Sequence, residues 1–211
     1  MMSLPNYEAI SSWNSQNSTY SFLINNVLSN DIIVQKAKNF AIEKHKNQKR
    51  KDGVTPFIDH LEGVVNRLKN IGISNEDILS AAWLHDTIEH TDSTFEEINE
   101  IFGNTVSVLV LSLSKDYKLA KKDIETHYVS QLKNSSFQTK IIKFCDISAN
   151  LKDLLNAPIS KTQKNKKIKK LFFYLRVIRK DIVENTSKYP KIQDMIDGIN
   201  SIGQKFRQKP I

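Results

Sequence analysis

The chain has 211 residues, a formal net charge of +8, one cysteine, and only 6 Gly and 5 Pro. The lone Cys145 excludes an intrachain disulfide and fits a reducing compartment. No apolar stretch reaches the roughly 18–20 residues that span a bilayer, and the N-terminus lacks the basic start and apolar run of a secretion signal. Gly and Pro well below their usual shares of about 7% and 5% argue for helices over a turn-rich sandwich or barrel. The 39% apolar content suffices for one sizeable core. We therefore expect a soluble, cytoplasmic, all-α protein: a single helical-bundle domain over 31–211, preceded by an extension over 1–30 with at most a weak helix. Charge is unevenly placed. Residues 1–114 carry 9 basic and 14 acidic residues (net −5), and residues 115–211 carry 22 and 9 (net +13). A basic half suits an anionic partner. The run Lys161, Lys164, Lys166, Lys167, Lys169, Lys170 reads more simply as a solvated helix face.

In chain order, Asn30 or Asp31 can cap a first helix with Ile33, Ala37, Phe40 and Ala41 on one face, ending near Asn47. Residues 48–56 form a basic loop punctuated by Gly53 and Pro56. A second helix is predicted from Phe57 to Asn70, with Leu61, Val64, Val65 and Leu68 inward and Gly72 as its stop. Ser74 or Asn75 caps a third, through Ile78, Ala81, Ala82, Leu84 and Ile88. Ser93 and Glu96 have the spacing of a capping box for a fourth, which stops at Gly103. The apolar run Val106–Leu113 is read as a buried helix because nothing nearby offers it a sheet partner. Further helices are expected over roughly 119–133, 136–156, 161–186 and 189–207.

Two acids stand out because they sit in apolar helical context, where an unpaired charge is costly. Asp86 follows His85 within Ala81-Ala82-Trp83-Leu84-His85-Asp86, and Asp146 ends Ile141-Ile142-Lys143-Phe144-Cys145-Asp146. Alone, the His85-Asp86 dipeptide reads better as a buried His–Asp hydrogen bond. With His60 near the start of the preceding helix, the set becomes a candidate metal site of two His and two Asp. This mixed N/O set suits Mn²⁺ or another first-row divalent ion better than a closed structural zinc, which prefers thiolates.

The motifs Ala41-x-x-x-His45-x-x-Gln48-x-Arg50-Lys51-x-Gly53-x-x-Pro56-x-x-x-His60, Ala82-Trp83-Leu84-His85-Asp86-Thr87-Ile88-Glu89, Thr94-x-Glu96-Glu97-Ile98-x-x-x-Phe102-Gly103 and Lys143-x-x-Asp146-x-x-x-Asn150-Leu151-Lys152-Asp153-Leu154 occur in order. Together they resemble the HD superfamily of metal-dependent phosphohydrolases. Within it they resemble the Rel/SpoT branch, closest to the small stand-alone alarmone hydrolases of the metazoan SpoT type. The likeness is clear over about 32–156 and weak elsewhere.

The resemblance implies metal ligation by His60, His85, Asp86 and Asp146, with Mn²⁺ preferred. The implied reaction is removal of the 3′-pyrophosphate from (p)ppGpp or its adenosine counterpart. An HD-type nucleotide or NADPH phosphatase is the alternative enzyme. An inactive domain that binds a nucleotide, or nucleic acid through its basic half, is the alternative of another class. The expected partner is a small nucleotide. A membrane is not expected, nucleic acid is disfavoured, and an oligomer is left open. Glu89, one helical turn after His85, can orient water or carry its proton. His90 stands where the resembled enzymes carry Asp, beside Glu89, and is the second candidate catalytic residue. Arg50 and Lys51 can meet phosphate or stack on a base, and Asn150, i+4 from Asp146, can bond ribose or phosphate. Of Phe172, Phe173 and Tyr174, one ring is a candidate for the base and at least two are expected in the core.

Overall fold

The computed structural model describes residues 32–211. The 1–30 extension and the Asn30/Asp31 cap lie outside the described residues. The described chain is all-α, as expected. Its one β feature is an isolated antiparallel bridge between Lys49 and Pro56. No described helix is long and apolar enough to cross a membrane.

Helix α1 spans 32–44 and buries Ala37 and Ala41. The loop that follows is folded rather than loose. Asp52 accepts from the Val54 and Thr55 amides at 2.9 Å each, and Gly53 supplies the positive φ of 76° that the turn requires. The bridge and this turn hold Arg50 and Lys51 at the loop's flank. Helix α2 is Phe57–Asn70, as read from sequence. It stops where the Gly72 amide bonds the Lys69 carbonyl and the Ile73 amide bonds that of Leu68, with Gly72 at φ 95°.

Helix α3, Glu76–Leu84, is capped by Asn75. It ends earlier than the apolar pattern suggests. His85 and Asp86 form a turn before the short α4, Thr87–His90. The Thr87 hydroxyl donates to the Leu84 carbonyl at 2.6 Å, so a side chain occupies an acceptor at the helix end. Helix α5, Phe95–Leu113, is capped by Thr94, whose hydroxyl accepts from the Glu97 amide; the cap is not Ser93. Gly103 (φ 83°, ψ 169°) breaks it internally, and Val106–Leu113 continues as the buried segment foreseen.

The next helix begins later than 119: residues 115–123 are turns, and α6 is Ile124–Asn134. Helices α7 (Phe137–Asn156), α8 (Lys161–Glu184) and α9 (Lys191–Lys205) complete the described fold. Helix α7 is the axis. Ile141, Ile142, Phe144, Cys145, Ile147 and Leu151 are fully buried on it, and it packs against α2, α3, α5, α8 and α9. A residue on α7 therefore lies close to both α2 and the end of α3, and Asp146 occupies that position.

Candidate metal centre and substrate cleft

His60 projects from the first turn of α2, His85 and Asp86 from the turn after α3, and Asp146 from the middle of α7. Ligand atoms of His60, His85 and Asp86 lie within 4.8 Å of one another. Asp146 Oδ1 is 3.1 Å from His60 Nε2 and 3.8 Å from His85 Nε2, and Asp86 Oδ2 is 3.5 Å from His85 Nε2. Because α3 has ended, His85 and Asp86 are aimed by the turn and not by neighbouring places on a helix.

The residues present fit a metal ion. Nε2 of both His60 and His85 is buried without a hydrogen-bond partner among the described residues. Such orphaned atoms are costly unless something coordinates them. His85 Nδ1 donates to the Ala82 carbonyl at 2.7 Å, which fixes the ring and leaves Nε2 as the atom facing the carboxylates. Burial alone would lower the His85 pKa, yet the Asp86 and Asp146 carboxylates lift it to about 9. The pocket thus favours positive charge. Burial opposes ionisation of Asp146, but Lys143 and the two histidines hold it well below the usual carboxylate range.

Asp146 is itself fixed. Lys143 Nζ lies 2.9 Å from its Oδ2, and Asn150 Nδ2 donates to Oδ1 at 2.5 Å. Asn150 Oδ1 accepts from Arg50 at 2.9 Å, and Arg50 also pairs with Asp153 at 2.7 Å. Asn150 is therefore a link between Arg50 and a candidate ligand. A cleft of about 470 Å³ opens beside the cluster, with Asp86, Glu89, His90 and Asp146 on its wall. A second hollow of about 280 Å³ reaches His60 from the other side of Arg50 and Asn150.

Glu89 shares the cleft with Asp86, though the break after Leu84 means it does not share a helical face with His85. Its Oε2 accepts from the Lys115 amide at 3.1 Å and its Oε1 from the Tyr117 hydroxyl at 2.9 Å. His90 is exposed on the cleft wall with its ring 6.0 Å from that of Phe57. Its carbonyl accepts from Gln48, whose Oε1 in turn meets His45 Nδ1.

The cleft is more basic than the sequence reading foresaw, with seven Lys or Arg against three acids on its wall. Lys167 and Lys170, read as part of a solvated face, lie on it. Lys115 comes from the turns over 115–123, ahead of the helix expected from about 119. Lys143 lies one turn before Asp146, and that i−3 spacing was the available signal for its ion pair. Lys115, Lys143 and Lys170 stand 5.1–5.7 Å from the rings of Tyr128 or Tyr174. Partial burial, the facing Lys167 ammonium and Arg50 push Lys51 down to about 8. Of the three aromatic residues on α8, Phe172 is core, Phe173 is exposed, and Tyr174 is buried against the cleft with its hydroxyl donated to Glu125.

Comparison with known proteins identifies the family. The HD domain family model matches residues 37–176. The chain belongs to the HD-domain family. Among curated proteins this HD domain is 41% identical over 128 residues to the zebrafish (Danio rerio) guanosine-3′,5′-bis(diphosphate) 3′-pyrophosphohydrolase MESH1, covering 60% of this chain and 71% of that one. The human (Homo sapiens) protein of the same name is 41% identical over 120 residues, covering 56% and 67%. Among solved structures it is similar to a metazoan orthologue of SpoT described as hydrolysing ppGpp and playing a role in starvation responses. That match has a TM-score of 0.71 at 25% identity and covers 82% of this chain and 94% of the other.

Proposed function

We propose that this HD domain is a metal-dependent small alarmone hydrolase that adds water across the 3′ phosphoester of (p)ppGpp, or of the adenosine analogue. The products are GDP or GTP (or their adenine counterparts) and pyrophosphate. The observation that carries the reading is a juxtaposition: two orphaned His Nε2 atoms lie beside two carboxylates that line a cleft carrying seven Lys or Arg. Relatives at about 41% identity carry the 3′-pyrophosphohydrolase name.

In this reading His60, His85, Asp86 and Asp146 hold the ion, and Mn²⁺ suits the mixed N/O donors. A bound divalent ion would supply acidified water and neutralise charge on the scissile phosphate. Lys143 and Asn150 orient Asp146, and Lys115 and Tyr117 orient Glu89. With both oxygens held, Glu89 presents a fixed carboxylate to the cleft and serves as the proton acceptor for the attacking water. Tyr117 is pushed up to about 12 by burial and by Glu89, so its hydroxyl stays protonated and donating. Lys51 and Lys167, two ammonium groups facing each other, take a phosphate group of the nucleotide, with Arg50 alongside. His90, exposed on the same wall, meets the substrate's negative charge. The reading includes a cytoplasmic location, where purine nucleotides are made and used.

The test is product analysis with ppGpp, ppApp and NADPH as separate substrates in the presence of Mn²⁺. Pyrophosphate together with GDP or ADP is expected. Release of orthophosphate from NADPH without turnover of either alarmone would overturn the assignment, as would inertness toward all three.

A further inference from the structure

We propose that the outer face of α8, with the C-terminal segment 206–209, is a binding surface for single-stranded nucleic acid, separate from the metal cleft. On α8, Lys166, Lys169, Phe173, Arg176 and Lys180 follow one another at steps of 3, 4, 3 and 4 residues, and all five are exposed. At 100° per residue these steps place them on one side of the helix, along about 21 Å. Phe173 is 43% exposed, a large ring facing water in the middle of a cationic stripe. Phe206, Arg207, Gln208 and Lys209 run beside Lys166, Lys169 and Arg176 and form with them an open groove with no acidic side chain on its wall.

The charges in this groove are not there for the fold. Lys166, Lys169, Arg176, Arg207 and Lys209 make no ion pair or side-chain hydrogen bond among the described residues. By contrast Lys44 pairs with Asp92 and Glu97, and Lys140 with Asp181. Five like charges gathered without counter-ions repel one another, and an anion relieves that cost. The chain's own residues 1–31 hold just two acids, Glu8 and Asp31, too few to neutralise the groove.

The ligand therefore brings several negative charges spaced along an extended line. It also brings flat groups that can cover Phe173. A single strand of RNA does both, with phosphates on the cations and a base stacked on the ring. An acidic membrane surface matches less well, because a helix that lies on lipid presents a broad apolar face beside its cations. Phe173 is the one exposed large apolar side chain in this stripe.

The experiment measures binding of a fluorescein-labelled 12-nucleotide uridine strand to the full chain by anisotropy over a range of salt. Log Kd should change with log salt by about 0.7 per phosphate neutralised. The triple variant Lys166→Gln, Lys169→Gln, Arg176→Gln should bind at least tenfold more weakly, with the salt slope reduced by about 2. Phe173→Ser should weaken binding about tenfold with the slope unchanged. Both variants should keep wild-type alarmone turnover, which shows that they fold. Wild-type RNA affinity in the triple variant would overturn the proposal. So would loss of binding in Lys51→Gln, Lys167→Gln with the stripe intact, because the strand would then occupy the cleft. Binding to phosphatidylserine vesicles without binding to the RNA strand would also overturn it, in favour of a membrane surface.

Discussion

The depressed Lys51 ammonium makes substrate affinity depend on pH in a direction that can be worked out. The group is partly buried, faces Lys167 of α8 and Arg50 of its own loop, and is drawn by the Asp146 carboxylate of α7. Its pKa falls from 10.5 to about 8 in the substrate-free protein. The charged form, which a phosphate needs, is mostly present at pH 7 and falls to about one-tenth at pH 9. Nucleotide phosphates are fully ionised throughout that range, so KM should stay level up to about pH 7 and then rise about tenfold by pH 9. Folding responds in the opposite sense. A lysine depressed in the folded state binds fewer protons than in the unfolded chain between pH 8 and 10.5, so the free protein gains stability as pH rises through that window. Lys51→Arg should flatten the KM profile, because a guanidinium stays charged. The assay is KM for ppGpp against pH at low ionic strength, since Lys51 is solvent-accessible and salt screens it. Calorimetric binding without turnover separates affinity from any change in the attacking water. A level KM through pH 9.5, or the same rise in Lys51→Arg, would refute the reasoning.

Metal removal should be visible in stability as well as in rate. Chelation should lower the Tm of the wild type by several degrees and leave His60→Ala unchanged, because ligand binding to the folded state alone stabilises it; equal shifts in both would place the ion elsewhere. Arg50→Ala should raise KM about tenfold with kcat nearly constant, the effect of losing about 1.4 kcal/mol of phosphate contact, and steady-state kinetics would show the split. His90→Asp should tighten metal binding, measured by titration into the metal-free protein, and weaken ppGpp binding, because it places a carboxylate on the cleft wall near Asp86; no change in either would leave His90 a bystander. Gly203→Ala should destabilise the domain by about 1–2 kcal/mol in denaturant melts. Its Cβ would fall 2.3 Å from Cζ of the buried Phe172, an overpacking cost that exceeds the roughly 1 kcal/mol a helix gains from replacing glycine.

What could be read from the sequence follows from how each residue contrasts with its neighbours. Asp86 and Asp146 stood out because each is an acid in an apolar run, and the structure brings both beside His60 and His85. The turn at His85 was hidden, because the apolar pattern of α3 runs on without a glycine or proline to mark the end. The cap of α5 slipped by one residue because Ser93 and Thr94 are both good caps with an acid three places on. Lys167 and Lys170 were invisible for the opposite reason to the acids. In a run of lysines no member stands out, and only the packing of α8 against α7 separates those facing the cleft from Lys166 and Lys169 on the outer face. Lys115 and Tyr117 reach Glu89 from a stretch of turns, where helical periodicity carries no information.

The charge layout constrains what the cleft can hold. The candidate metal pit is acidic, and the lysines around it are kept apart from its carboxylates with one exception, Lys143, which takes Oδ2 of Asp146. Lys115 and Lys170 are drawn toward Glu125 and the tyrosine rings, so their charge stays on the far wall of the cleft. Lys51 and Lys167 face each other at the loop side without a shared counter-ion. A nucleotide with a single phosphate at the metal would leave that pair facing unneutralised charge, at the cost already seen in the lowered Lys51 pKa. A nucleotide carrying phosphates on two positions of its ribose satisfies both regions at once. The selectivity we propose, for a doubly phosphorylated purine nucleotide over a simple monoester, thus rests on two separated charge clusters rather than on the candidate metal ligands.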